Sequence, residues 1–211
     1  VCRLPPTTIF FEPLWTNFLP GENAGVLDWY TVLTGVMALI ALTIHGVNYV
    51  AVKTSGELAQ RCQAAARKLW PLLLVLTIAS CVATIVIRPR VLENYKAHPI
   101  GFLIPVIVAV SLAVMFTARR AGNDRRAFIA SCAYLASMLG GAAFALYPSL
   151  LPSSNPNVED ITIYNAAAGS YSLTYGVIWW SIGMLIAIGY FVMVYRMFRG
   201  KVSLQSGEHG Y

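Results

Sequence analysis

The chain of 211 residues is 57% hydrophobic and only 11% charged, with a net charge of +6, whereas an ordinary soluble domain carries about 25% charged residues. Its mean hydropathy of +0.64 excludes a simple soluble fold. The basic residues sit in short gaps between apolar runs, as expected beside an anionic leaflet, so no nucleic acid partner is expected.

The opening, "VCRLPPTTIFFEPLWTNF", lacks a basic n-region followed by an apolar core and cleavage site, so it does not read as a signal peptide. Val1 is not an initiator, and the chain is expected to be an internal piece of something longer. Residues 1–26 read as a periplasmic loop segment, with Glu12 and Glu22 solvated. Residues 27–197 follow as a transmembrane bundle, and residues 198–211 as a cytoplasmic tail.

Five stretches reach the roughly 20 apolar residues that cross a bilayer. They run from about 27 to 52, 69 to 87, 99 to 117, 127 to 147 and 172 to 195. Backbone groups in lipid must be satisfied within the segment, so each is expected to be a helix. The fold class is therefore all-α, a polytopic transmembrane helix bundle.

The first span holds Asp28 at its outer end, and His45 lies eight residues before Lys53, about 12 Å along a helix. His45 and Asn48 share a face, which should turn toward protein. His45 has three readings: a packed, hydrogen-bonded residue first, then a proton-linked or quinone-facing group, and last a haem ligand. "TSGEL" after Lys53 reads either as an ordinary turn or as a capping segment, with Thr54 or Ser55 before Glu57.

Pro71 is placed where the second span could begin without losing a needed N–H, and Arg88-Pro89 should end that span. Pro99 starts the third span, and Pro105 inside it predicts a kink. In the fourth, Ala133, Ser137, Gly141 and Ala145 form a small-residue stripe, for packing within the chain or for a subunit interface. "YPSLLPSSNPNVEDITIYN" is too rich in Pro, Ser and Asn to span and reads as a loop. Asn165 could cap the fifth helix.

Alternate gaps are basic: Lys53, Arg61, Arg67 and Lys68 follow the first span, and Arg119, Arg120, Arg125 and Arg126 follow the third. Arg196, Arg199 and Lys201 follow the fifth. This places the N-terminus outside and the C-terminus in the cytoplasm, although Arg88, Arg90 and Lys96 would then lie outside. Trp29, Tyr30, Tyr49, Tyr171, Tyr175 and Tyr195 mark the interfaces.

Candidate chemistry is sparse. Cys2, Cys62, Cys81 and Cys132 form no CxxC or CxxCH, so zinc, attached c-type haem and a disulfide framework find no support. Cys81 and Cys132 read as small packed hydrophobes. The interiors of the second to fifth spans hold no ionisable Asp, Glu, Lys, Arg or His, which disfavours ion-coupled transport. His98 and His209 lie at the wrong depth to share a centre with His45. No P-loop, GxGxxG or HExxH pattern occurs. No catalytic or metal-binding residue is expected.

Several segments resemble one family. "GVLDWYTVLTGVMALIALTIHGVNYVAVKTSGELAQRCQAAARKLW" looks like the start of the second half of subunit II of cytochrome bd quinol oxidase. The matching positions are His45 and Gly46, then Lys53, Thr54, Gly56, Leu58 and Arg61. "ITIYNAAAGSYSL", with Asn165, resembles the family's segment leading into its last helix. "YFVMVYRMFRGKV" resembles its C-terminal end through Tyr195, Arg196, Phe198, Arg199, Gly200 and Lys201. "FFEPLWTNF" is similar to the outer loop in the cyanide-insensitive branch.

The resemblance implies a subunit of a terminal oxidase in the bacterial inner membrane that oxidises quinol and reduces dioxygen to water. It implies haem b and haem d held by a partner, subunit I, with none held here, and membrane lipid and quinone as further candidate partners. It also implies eight spans in two half-repeats, of which the fourth to eighth appear here, without the acidic residues of the first half. The alternative from another class is a polytopic transporter or assembly protein with no redox role.

Overall fold

The computed structural model describes residues 14–20, 26–151 and 159–200. Five helices in it are long and apolar enough to cross a membrane: α1 (Trp29–Lys53), α2 (Glu57–Ile87), a 3-10 turn Pro99–Phe102 running into α4 (Leu103–Arg120), α5 (Asp124–Leu146) and α6 (Ser170–Met197). A short α3 (Val91–Ala97) precedes the 3-10 turn, and a two-stranded antiparallel ribbon, β1 (Ser149–Leu151) with β2 (Ile161–Thr162), follows α5. The chain is an all-α polytopic bundle.

Asp28 starts α1 with a full capping box, its carboxylate accepting from Thr31 N at 2.7 Å while Thr31 Oγ1 accepts from Asp28 N. That arrangement satisfies orphan donors at the helix start. The turn into α2 works differently from the capping expectation. Thr54 ends α1, its hydroxyl donating to Val50 O, and Gly56 precedes α2 with no side-chain cap. Gly56 has φ +73, a backbone region a side chain resists, so the tight reversal falls there. Glu57 instead pairs with Arg61 at 2.6 Å on an exposed surface.

α2 begins twelve residues earlier than the apolar stretch suggests. Its 31 residues rise about 46 Å, well beyond the roughly 30 Å hydrocarbon layer, so its first turns project past the membrane. Pro71 therefore lies inside the helix and does not begin it. The ring withholds one N–H, but the turn is held from outside, because the Trp70 indole donates to Leu112 O of α4 at 3.1 Å. Arg88 ends α2, as expected. Pro105 is the third residue of α4, where the first turn has spare N–H positions. The expected kink thus reduces to the junction between the 3-10 turn and α4.

The core joins α1, α2, α4 and α5 through Ala41, Ile44, Leu73, Leu112, Met115, Ala130 and Tyr134. The most extensive helix contacts are between α4 and α5 and between α1 and α2, then α1 with α5. Gly141 of the small-residue stripe faces Ile104 of α4 and Tyr95 of α3, so at that position the stripe packs within the chain. α3 lies across the far end, where Asn94 Nδ2 donates to Phe144 O at 3.1 Å and to Tyr147 O. Those carbonyls would otherwise be left open at the end of α5. Burial pushes the nearby Tyr95 phenol above its usual pKa, so it stays neutral.

Two expectations for single residues are corrected. Asn165 does not cap α6, which begins after Gly169. Asn165 folds the ribbon instead, accepting from Thr162 N at 2.7 Å and donating to Asp160 O at 2.8 Å. Cys81 is exposed on α2 and is not a packed core residue, while Cys62 and Cys132 are half-buried. Glu12, Glu22, Cys2, Lys201 and His209 lie outside the described residues.

α6 differs from the other spans. None of its residues is buried, and Lys53 Nζ donating to Phe198 O at 2.9 Å ties its last turn to the end of α1. The ends of α1, α4 and α6 and the starts of α2 and α5 therefore share one basic end of the bundle.

Inside the core, Tyr134 OH and Thr77 Oγ1 are 2.7 Å apart. Tyr134→Phe should cost about 0.6 kcal/mol, the average for an interhelical hydrogen bond in a membrane protein. Thr77 keeps its bond to Leu73 O, so no buried group is orphaned. An unfolding titration that found more than about 2 kcal/mol would mean the phenol does more than bridge two helices.

Candidate functional site

Two polar features lie within the four-helix bundle, and they meet on α1. The first is His45. Its Nδ1 lies 2.9 Å from Ser131 Oγ on α5, and its ring stacks on Phe128 with centroids 5.1 Å apart. Tyr49, one turn on, tilts against the same Phe128 ring. The shared face of His45 and Asn48 does turn toward protein, since Asn48 Nδ2 donates to Ala127 O at 3.4 Å.

The second feature escaped the sequence reading. Arg119, one of the basic residues between the third and fourth spans, occupies the last turn of α4 with its side chain turned inward. Its Nη1 pairs with Asp124 Oδ1 at 2.9 Å, the two side chains being 7% and 15% exposed. Arg119 Nη2 also donates to Asn48 Oδ1, and Gln63 of α2 donates to both Asp124 oxygens at 3.1 Å. One network thus joins α1, α2, α4 and α5 at the basic end. Arg119 Nε is enclosed without a partner among the described residues. The available signal was polarity on both sides of a three-residue turn, with Asn48 at a depth to meet it.

The residues singled out by resemblance do not converge on one centre. His45 and Gly46 lie midway along α1, while Lys53, Thr54, Gly56, Leu58 and Arg61 form the α1–α2 reversal. Asn165 belongs to the ribbon at the far end, and Arg199 and Gly200 lie beyond α6. They shape turns and helix ends more than a pocket.

The Phe128 ring covers one face of the His45 imidazole, and Ser131 lies against its Nδ1. Among the described residues, no group of three His, Cys, Asp or Glu could hold a metal ion. Two shallow grooves lie elsewhere: one of about 520 Å³ along α6, bordered by Phe191, Tyr195, Arg196 and Arg199, and one of about 330 Å³ at the α4–α5 turn.

The sequence model of the family described as "Cytochrome bd terminal oxidase subunit II" matches residues 8–198. The chain is also 26% identical to the "Cytochrome bd ubiquinol oxidase subunit 2" of Bacillus subtilis (strain 168), over 86% of this chain and 54% of that protein. It is 20% identical to the "Probable cytochrome oxidase subunit 2" of Haemophilus influenzae, over 91% of this chain and 57% of that one. The chain spans about half the length of the curated relatives it matches.

Proposed function

The chain belongs to the cytochrome bd terminal oxidase subunit II family, and from that premise we propose that it is a membrane subunit of a quinol:dioxygen oxidoreductase that holds no haem itself. It packs against a haem-bearing subunit I in the bacterial inner membrane, stabilises it and screens it from lipid. Haem b and haem d reside in that partner, and quinol is the electron donor. The basic end of the bundle lies in the cytoplasm, following the excess of Lys and Arg there.

The observation that carries this reading is α6, a 28-residue apolar helix with no buried residue. Association between helices in lipid rests on close packing and hydrogen bonds. A helix so little covered by the described residues leaves an apolar surface free for other membrane helices, and subunit I is the one proposed here. No step of dioxygen chemistry is assigned to this chain's own side chains. Their work is to position helices and keep polar groups paired.

The test is an optical redox spectrum of the tagged protein purified from its native membrane. Reduced b- and d-type bands together with a larger co-purifying subunit are expected. Haem bands without a partner would return His45 to the list of ligands. Absence of both would favour a transporter or assembly role.

A further inference from the structure

Two arginines close α6, and among the described residues no carboxylate neutralises them. Arg196 lies in the last turn and Arg199 just past the helix, both exposed. Lys53 Nζ, donating to Phe198 O at 2.9 Å, adds a third positive charge at the same turn. The sequence from Ile161 to Gly200 holds no acidic residue. Glu57 and Asp124, the described carboxylates at this end of the bundle, are already paired with Arg61 and Arg119. Positive charge at a helix C-terminus is favourable in itself, but that does not account for what borders it here.

The shallow groove of about 520 Å³ along α6 is lined by Ile188, Phe191, Val192, Tyr195, Arg196 and Arg199. The first five recur at the three- and four-residue spacing of one helix face. Along that face the chemistry is graded. Ile188, Phe191 and Val192 are exposed apolar side chains, the Tyr195 phenol comes next, and the two guanidinium groups come last. Ile188 to Tyr195 spans about 10 Å, which fits within one half of the roughly 30 Å hydrocarbon layer. Tyrosine favours the headgroup boundary, and the arginines follow it. A phospholipid has its parts in the same order: acyl chain, ester linkage, phosphate.

We propose that this groove holds an anionic phospholipid, its acyl chain along Ile188, Phe191 and Val192 and its phosphate between Arg196 and Arg199. Charge complementarity selects the occupant. A guanidinium fork donates two N–H groups to a phosphate, and basic pockets at the membrane surface bind anionic headgroups. A zwitterionic lipid would bring a cation of its own to a turn that already has three. An acidic protein segment would match the arginines and leave the apolar stripe unanswered. The stripe takes one face of α6 and leaves the others to a partner helix. The proposal does not rest on the oxidase reading and holds whether or not haem co-purifies.

The experiment is native mass spectrometry of the protein, in whatever complex it forms, with phosphatidylglycerol or phosphatidylcholine of matched acyl chains added to the detergent. Phosphatidylglycerol should bind the more tightly. Arg196→Ala with Arg199→Ala should weaken it about thirtyfold, the worth of two basic residues beside an anionic headgroup, and leave phosphatidylcholine unchanged. Arg125→Ala with Arg126→Ala removes the same charge from the first turn of α5, away from the groove, and should leave the affinity nearly unchanged. If the arginine variant of α6 fails to accumulate, Phe191→Ala keeps every charge and should still weaken phosphatidylglycerol by removing part of the apolar wall. Equal binding of the two lipids, an equal loss in the Arg125 and Arg126 variant, no loss in Phe191→Ala, displacement by inorganic phosphate, or exclusion of the lipid by a protein partner seated on the arginines would each overturn the proposal.

Discussion

Arg119→Ala is expected to destabilise the bundle by about 3–5 kcal/mol, the range for removing one partner of a buried ion pair. The loss of attraction is the smaller part. Asp124, 15% exposed, would be left with an uncompensated charge softened only by Gln63 and by its place in the first turn of α5. Asn48 Oδ1 would lose its donor as well. An unfolding titration of the purified protein checks the size. A loss below about 1 kcal/mol, typical of surface pairs, would mean that water reaches the pair. The double variant Arg119→Met with Asp124→Leu should recover most of the loss, since only neutral amides then remain unpaired.

Leu73→Ala should cost about 2–5 kcal/mol. Leu73 is fully buried on α2, within a cluster that includes Ala41 and Ile44 of α1, Leu112 and Met115 of α4, and Ala130 and Tyr134 of α5. Helices already held by close contacts cannot collapse into the space left by an isobutyl group, so a cavity remains. Leu73→Met keeps most of the volume and should cost under about 1.5 kcal/mol. If the two variants unfolded at the same point, the site would be far more yielding than its packing implies.

The spans were legible because twenty apolar residues in a row have few alternatives to a membrane helix. Their ends were less so. The start of α2 at Glu57 was invisible to hydropathy, because a helix that continues past the lipid becomes amphiphilic there. Pro71 then misled, since a ring that suits a first turn is also tolerated inside a helix whose neighbours restrain it.

The inward turn of His45 and Asn48 was legible from their spacing on one helix. Their partners were not. Ser131, Ala127 and Arg119 come from other helices, and nothing local marks a serine as the mate of a histidine 86 positions away. The buried Arg119–Asp124 pair was hidden for a related reason, as each residue alone looks like an ordinary loop charge. Asn165 was a fair capping candidate, but the ribbon claimed its amide first.

The bareness of α6 separates two demands that most membrane helices meet together, holding their own fold and meeting other helices. Substitutions along α1, α2, α4 and α5 change how the chain folds before they change anything else. Along α6 the same substitutions leave the fold of its neighbours nearly untaxed, because no residue of that helix is buried against them. Under the role proposed for the chain, damage there would surface as a shortage of assembled complex, with the remaining helices still folded.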